Sequence, residues 1–297
     1  MTTTMVKAPP EPARTATSHR SVGRRLLHLN WLGGLAGWVW FFIIMLPIYW
    51  IVITSLKEQS TYFFSNPLVP PSHPTLDNFR LVFANHFVQY FVNSVIVTVG
   101  AVVPAVLVSF MAAYAFIRDG RRLFLRSVNW LFLMGLAIPL QATIIPVYLL
   151  IIKMRLYDTL LAIILPSIAF AIPLSVLVLA NFIRDVPNEL FESMRVDGAG
   201  EWSMMWRLAF PLTRPALVTV TIYNGLTIWN GFLMPLVLTQ SPNKALLPLA
   251  LWNFQGQFAV DIPAVLAAVL LTALPILALY IVGRRQMLSG LSGGFTK

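Results

Sequence analysis

Cysteine is absent from the 297 residues, which excludes a disulfide framework, a thiolate nucleophile and Cys-ligated zinc or iron–sulfur centres. Charge is scarce as well: charged residues make up 11% and hydrophobic residues 58%, against about 25% and roughly 45–50% in soluble globular chains. So little charge cannot coat a water-facing surface, and the composition is that of a membrane protein. The four histidines, His19, His28, His73 and His86, lie outside the long apolar runs, which argues against a buried metal cage or proton relay. No GxxxxGK[ST] phosphate loop is present, so ATP is not bound in that manner by this chain. Neither a Ser/His/Asp set nor paired carboxylates converge on a pocket, and an intramembrane enzyme is disfavoured.

Six stretches have the roughly 20 apolar residues a spanning helix needs: Trp31 to Leu56, Val88 to Ile117, Val128 to Ile152, Thr159 to Ile183, Ala216 to Leu238, and Ile262 to Val282. None contains Asp or Glu. Only helix satisfies its own backbone in lipid, so the internal prolines (Pro47, Pro104, Pro139, Pro146, Pro166, Pro173, Pro235 and Pro275) are expected to kink helices rather than end them. The predicted fold is an all-α membrane protein: six kinked transmembrane helices with an inner helix-turn-helix. Residues 1–30 read as a retained, disordered basic tail, 31–285 as the membrane domain and 286–297 as a glycine-rich tail.

With six spans, sixteen of the 21 Lys and Arg residues fall on the side of the termini and five on the other. The positive-inside rule therefore predicts cytoplasmic termini. It also supplies an ordinary reason for the formal charge of +10, so no nucleic-acid role is needed. Prolines 67, 70, 71 and 74 in the outer segment Lys57 to Phe87 predict an extended course there, serving as a partner surface or as a plain connector. Ionisable groups at mid-membrane, the usual equipment of proton- or sodium-driven carriers and charged filters, are missing. Uphill transport by such a bundle would have to draw energy from another subunit.

The inner loop 185–215 is long and patterned. Leu190, Phe191 and Met194 share one helical face, with Glu189, Glu192 and Arg195 largely away from it. Asp197-Gly198-Ala199-Gly200 breaks the helix: glycine permits positive φ, and Asp197 can accept a backbone N–H at the next helix start. Trp202, Met205, Trp206 and Ala209 follow at helical spacing. Such a hairpin can anchor the bundle at the membrane face or dock into a groove on a cytoplasmic partner.

Glu192-Ser193-Met194, Gly198 six positions after Glu192, and Leu208 with Phe210-Pro211 resemble the EAA loop of the membrane subunits of bacterial binding-protein-dependent ABC importers. Asp197-Gly198-Ala199 matches the D-G-A form common there. Further stretches resemble the sugar-uptake branch, maltose-type: Leu76-Asp77-Asn78-Phe79, Asn93-Ser94, Ala112-Ala113-Tyr114-Ala115 with Arg118, Trp229-Asn230, Leu247-Pro248 and Gly290 to Lys297. Ser193 and Met194 replace the motif's two alanines, and Gly231 stands where that branch usually carries an acid.

The resemblance implies a half-pore paired with a second related permease, two cytoplasmic ATPase subunits that hold ATP and Mg, and an extracytoplasmic solute-binding protein that delivers a sugar. This chain itself would hold no cofactor or metal and catalyse nothing. Carried over by position, Glu192, Asp197, Gly198, Ala199 and Pro211 would couple to the ATPase. A sugar in transit needs uncharged donors, acceptors and aromatic faces, for which Asn93, Ser94, Gln141, Thr143, Tyr148, Asn224, Thr227, Trp229 and Asn230 are the candidates. Two rival readings are a gradient-driven secondary transporter and a membrane scaffold.

Overall fold

The computed structural model describes residues 31–119, 123–251 and 260–293. The first thirty residues and 294–297 of the C-terminal stretch lie outside that set. The chain divides at Pro47 into two units, 1–47 and 48–297. In the first, the described part is the start of α1 (Trp31–Ser55), an apolar helix on which Trp38, Phe41 and Phe42 make ring contacts with one another.

The second unit is built round α3 (Phe87–Arg118) and α6 (Leu160–Arg184), which pack along each other. The reason lies in the side chains at the seam. Ala101, Ala105, Ser109 and Ala113 of α3 and Ala171, Ser175 and Ala180 of α6 are buried, and small residues let helix backbones approach in a membrane, where no hydrophobic force draws helices together. On the other face of α3, Val88, Val92, Ile96, Val99, Val103 and Leu107 are exposed at three- and four-residue steps. That stripe suits lipid or a second membrane subunit. Thr159 caps α6, its hydroxyl oxygen accepting the Ala162 N–H at 3.3 Å.

Two predicted spans are divided. Val128 to Ile152 becomes α4 (Leu123–Gly135) and α5 (Leu140–Lys153), bent by 109° at a short break. Pro139 occupies the N-cap of α5 with ψ near 135°; it lacks an N–H and biases Ile138 away from helix, so this proline ends one helix and begins another. Ala216 to Leu238 becomes α9 (Arg214–Trp229) and α10 (Leu233–Leu238). Asn230-Gly231 makes that break. Other prolines stay inside helices as expected, Pro104 in α3, and Pro166 and Pro173 in α6 among them. Three described helices are individually long and apolar enough to cross, and the bent pair reaches that length only when taken together. The last helix, α11 (Ile262–Gly293), has its apolar part at Ile262–Ala278 and runs on through most of the stretch read as a tail.

The segment Lys57 to Phe87 is more ordered than its prolines suggest. A turn of helix, Gln59–Tyr62, and α2 (Asp77–Ala84) lie within it. Asn78 is buried and donates to the carbonyls of Ser55 and Lys57, both at 2.8 Å, satisfying acceptors that the end of α1 leaves open. Lys57, 2% exposed, donates from Nζ to the Asn66 carbonyl at 2.8 Å and to Ser65 Oγ at 3.3 Å. These bonds fold the segment back on the helix end.

Candidate functional site

The 185–215 loop folds as two helical arms. α7 (Asn188–Val196) is followed by a turn, then α8 (Glu201–Met204), a π turn over Met205–Ala209 and a short helix Phe210–Leu212 that contains Pro211. Gly198 has φ +81°, a conformation L side chains rarely adopt, and nothing lies within 4 Å of where its Cβ would be. Only the backbone demands glycine here. The turn is closed by Gly198 N–H to the Arg195 carbonyl at 3.0 Å and Ala199 N–H to the Met194 carbonyl at 2.9 Å, the paired bonds of a Schellman-type stop. Asp197 ends α7 and is exposed; Gly200, without a side-chain cap, begins the second arm, so the expected capping by Asp197 is not found. Glu192 is also exposed.

The apolar faces behave mostly as the spacing implies. Phe191, Met204, Met205 and Ala209 are buried in one cluster with Phe110, Leu179 and Ile183 of α3 and α6, and Met194, Trp206 and Phe210 pack against it. Burying Phe191 contributes about 2 kcal/mol. Leu190 and Trp202 depart from the pattern and are exposed. Of the two residues replacing alanine, Met194 packs inward while exposed Ser193 bonds back to Leu190.

A polar bracket ties the hairpin to α3. The Tyr114 hydroxyl donates to Glu201 Oε2 at 2.7 Å, Arg195 donates to Glu201 Oε1, and Arg118 lies 3.9 Å from Glu201 and 4.2 Å over the Phe191 ring. Partial burial pushes the Glu201 carboxyl up, but the Tyr114 and Arg195 hydrogen bonds and the two guanidinium charges outweigh it and hold the group below its ordinary value. Tyr114 and Glu201 stand 87 positions apart; their partnership has no local signature, although the stretch holding Tyr114 and Arg118 stands out as a motif.

The nine polar or aromatic residues assigned to a pathway are not gathered in one place. Asn93 donates to the carbonyls of Asn243 and Ala245 at 2.9 and 3.0 Å, and Ser94 Oγ accepts the Leu247 N–H at 2.9 Å, so both pin the 243–247 loop to α3. Trp229 is buried, bonded to the Thr272 carbonyl and edge-on to Phe91. Tyr148 meets Tyr157 edge-on, Thr143 bonds back to Leu140, Asn230 bonds back to Leu226, and Gln141 is exposed. Only Asn224 and Thr227 share a cavity, of about 340 Å³, bounded by α6 and by both helix breaks. Asn224, buried, donates to Ser175 Oγ at 2.8 Å.

Comparison with known proteins covers most of this architecture. Residues 83–286 match the family model described as binding-protein-dependent transport system inner membrane component. The chain is 40% identical to a putative ABC transporter permease protein, ORF2, of Caldicellulosiruptor sp. over 87% of its own length and 94% of that protein. It is 31% identical to the diacetylchitobiose uptake system permease protein NgcG of Streptomyces coelicolor, over 86% and 85% of the two chains. A bacterial ABC transporter involved in the import of the acidic polysaccharide alginate contains a chain of the same fold, with TM-score 0.74 at 21% identity, covering 88% of this chain and 98% of that one.

Proposed function

The chain belongs to the inner membrane components of binding-protein-dependent transport systems, and from that membership we propose that it forms half of the translocation pathway for a sugar or oligosaccharide. A second related permease completes the pathway, two ATPase subunits carrying ATP and Mg drive it from the cytoplasm, and an extracytoplasmic binding protein delivers the cargo. Relatives named for uptake of diacetylchitobiose, arabinooligosaccharides and trehalose support the substrate class. The single observation that carries the coupling assignment is the hairpin: a preformed turn at Gly198, with Glu192 and Asp197 exposed on it, rests on a buried base, is tied to a long membrane helix by Tyr114 and Glu201 and is closed on itself by Arg195. A rigid lever of this kind suits transmission of an ATPase movement into rigid helix groups, so that the pathway opens alternately to the two sides. Ala199 and Pro211 complete the turn and the return towards the membrane.

The assembled transporter in sealed vesicles tests this. Uptake requires ATP and persists when ion gradients are collapsed; Glu192→Arg abolishes uptake and weakens ATPase association. Uptake that follows an imposed gradient without ATP would establish a secondary carrier instead. Undiminished ATPase association and sugar-stimulated hydrolysis in Glu192→Arg would remove the coupling role.

A further inference from the structure

The cavity beside α6 lies where two helices are interrupted together: Leu136 and Leu140 line it from the α4–α5 break, Gly231 and Phe232 from the α9–α10 break. A helix end leaves backbone groups without intrahelical partners, and at membrane depth such backbone is tolerated only inside protein or beside a hydrated cavity. No side chain caps the first turn of α5, and the lining of the space is mainly apolar with a few polar side chains. Asn224, Thr227 and Ser167 add side-chain oxygens, and Tyr223, Phe170 and Phe232 add aromatic surface.

Among the described residues, no Asp, Glu, Lys, Arg or His lines the cavity. A charged ligand would find no counter-ion there, and an acyl chain would leave the carboxamide of Asn224 and the hydroxyls of Thr227 and Ser167 without a ligand partner. A pyranose or furanose ring answers both: its hydroxyls bond to the side-chain oxygens of Asn224, Thr227 and Ser167, and its C–H face lies on an aromatic ring. The volume of about 340 Å³ is at the small end of the roughly 300–1,000 Å³ usual for ligand sites, which suits a short segment of a chain rather than a whole oligosaccharide.

We propose that this cavity is a subsite for one neutral sugar ring, so that the present chain contributes its own cargo contacts at the paired helix breaks; the proposal rests on the import reading above. Asn224 is held in place through Ser175, whose hydroxyl in turn donates to the Ala171 carbonyl at 2.7 Å, and its carboxamide oxygen serves as an acceptor. Thr227, whose hydroxyl donates to the Tyr223 carbonyl at 2.9 Å, accepts from a sugar hydroxyl at its remaining lone pairs.

The test uses the complete transporter in vesicles, with radiolabelled diacetylchitobiose, trehalose and arabinotriose as probes. For whichever probe is imported, Thr227→Val raises the KM of uptake about three- to tenfold, the usual weight of one hydrogen bond. Thr227→Ser restores it, and Ser167→Phe, which fills the space, abolishes uptake while the subunits still assemble. Affinity of the separate binding protein is unchanged throughout. Thr219→Val, on the same helix but outside the cavity, keeps the parental KM. Parental KM in both Thr227→Val and Ser167→Phe overturns the subsite while leaving sugar import standing. Failure of the parent transporter to import any probe with ATP overturns the sugar reading, and the subsite with it.

Discussion

Gly198 illustrates how a single residue sets the shape of the hairpin. Its φ of +81° costs an L residue about 1–2 kcal/mol, and the absence of any neighbour within 4 Å of the position a Cβ would take removes crowding as a second cause. Asn, which tolerates left-handed backbone, should therefore keep most ATPase association and transport at this position, whereas Val should lose both; pull-down of the ATPase with the two variants separates them. Glu201 offers a second test. Its folded-state pKa lies below the ordinary carboxylate value, so its stabilising contribution is complete above that ordinary value and disappears as pH falls through the lowered one. Amide exchange over residues 188–204 should thus rise under acid beyond the intrinsic pH dependence, and Glu201→Gln should remove that excess. The link from Glu201 to α3 cannot be read from its neighbours in sequence, because Tyr114 and Arg118 reach it from another helix while Arg195 alone of these partners lies nearby in the chain.

Among the elements, α3, α6 and both arms of the hairpin are legible, since apolar runs and three-to-four spacing report directly on which face is buried. The interruptions are not. A hydropathy run passes smoothly over Ile138-Pro139 and over Asn230-Gly231, yet the backbone cannot: proline lacks the donor, and a Cβ at Gly231 would stand 3.0 Å from the Ile228 carbonyl oxygen. Polarity marks Asn93 and Ser94 as candidates but cannot tell a cargo contact from a tether, and both hold the 243–247 loop. Replacing either by Ala should loosen that loop, raising protease cleavage near Asn243 in detergent-solubilised protein at a stability cost of roughly 0.6–1.7 kcal/mol per lost bond. The same loop is pinned from another side by Asp158, whose carboxylate accepts the N–H groups of Gln240 and Ser241, both at 2.9 Å.

For the molecule as a whole, the assignment of sides rests on the distribution of basic residues over six crossings, each interrupted pair of helices counted as one. A reporter fused after Arg122 should be cytoplasmic and one after Pro71 extracytoplasmic; the reverse labelling would overturn the assignment of sides. α9 rises only about 24 Å along its 16 residues, short of a roughly 30 Å hydrocarbon core, so its crossing depends on α10 and on the company of α6 and α11. The bracket around Glu201 has a kinetic consequence. Because Arg195 and Glu201 join the two arms across their own bend, the tip has already lost its conformational freedom on folding, and meeting an ATPase should resemble two rigid bodies colliding rather than a segment ordering on contact.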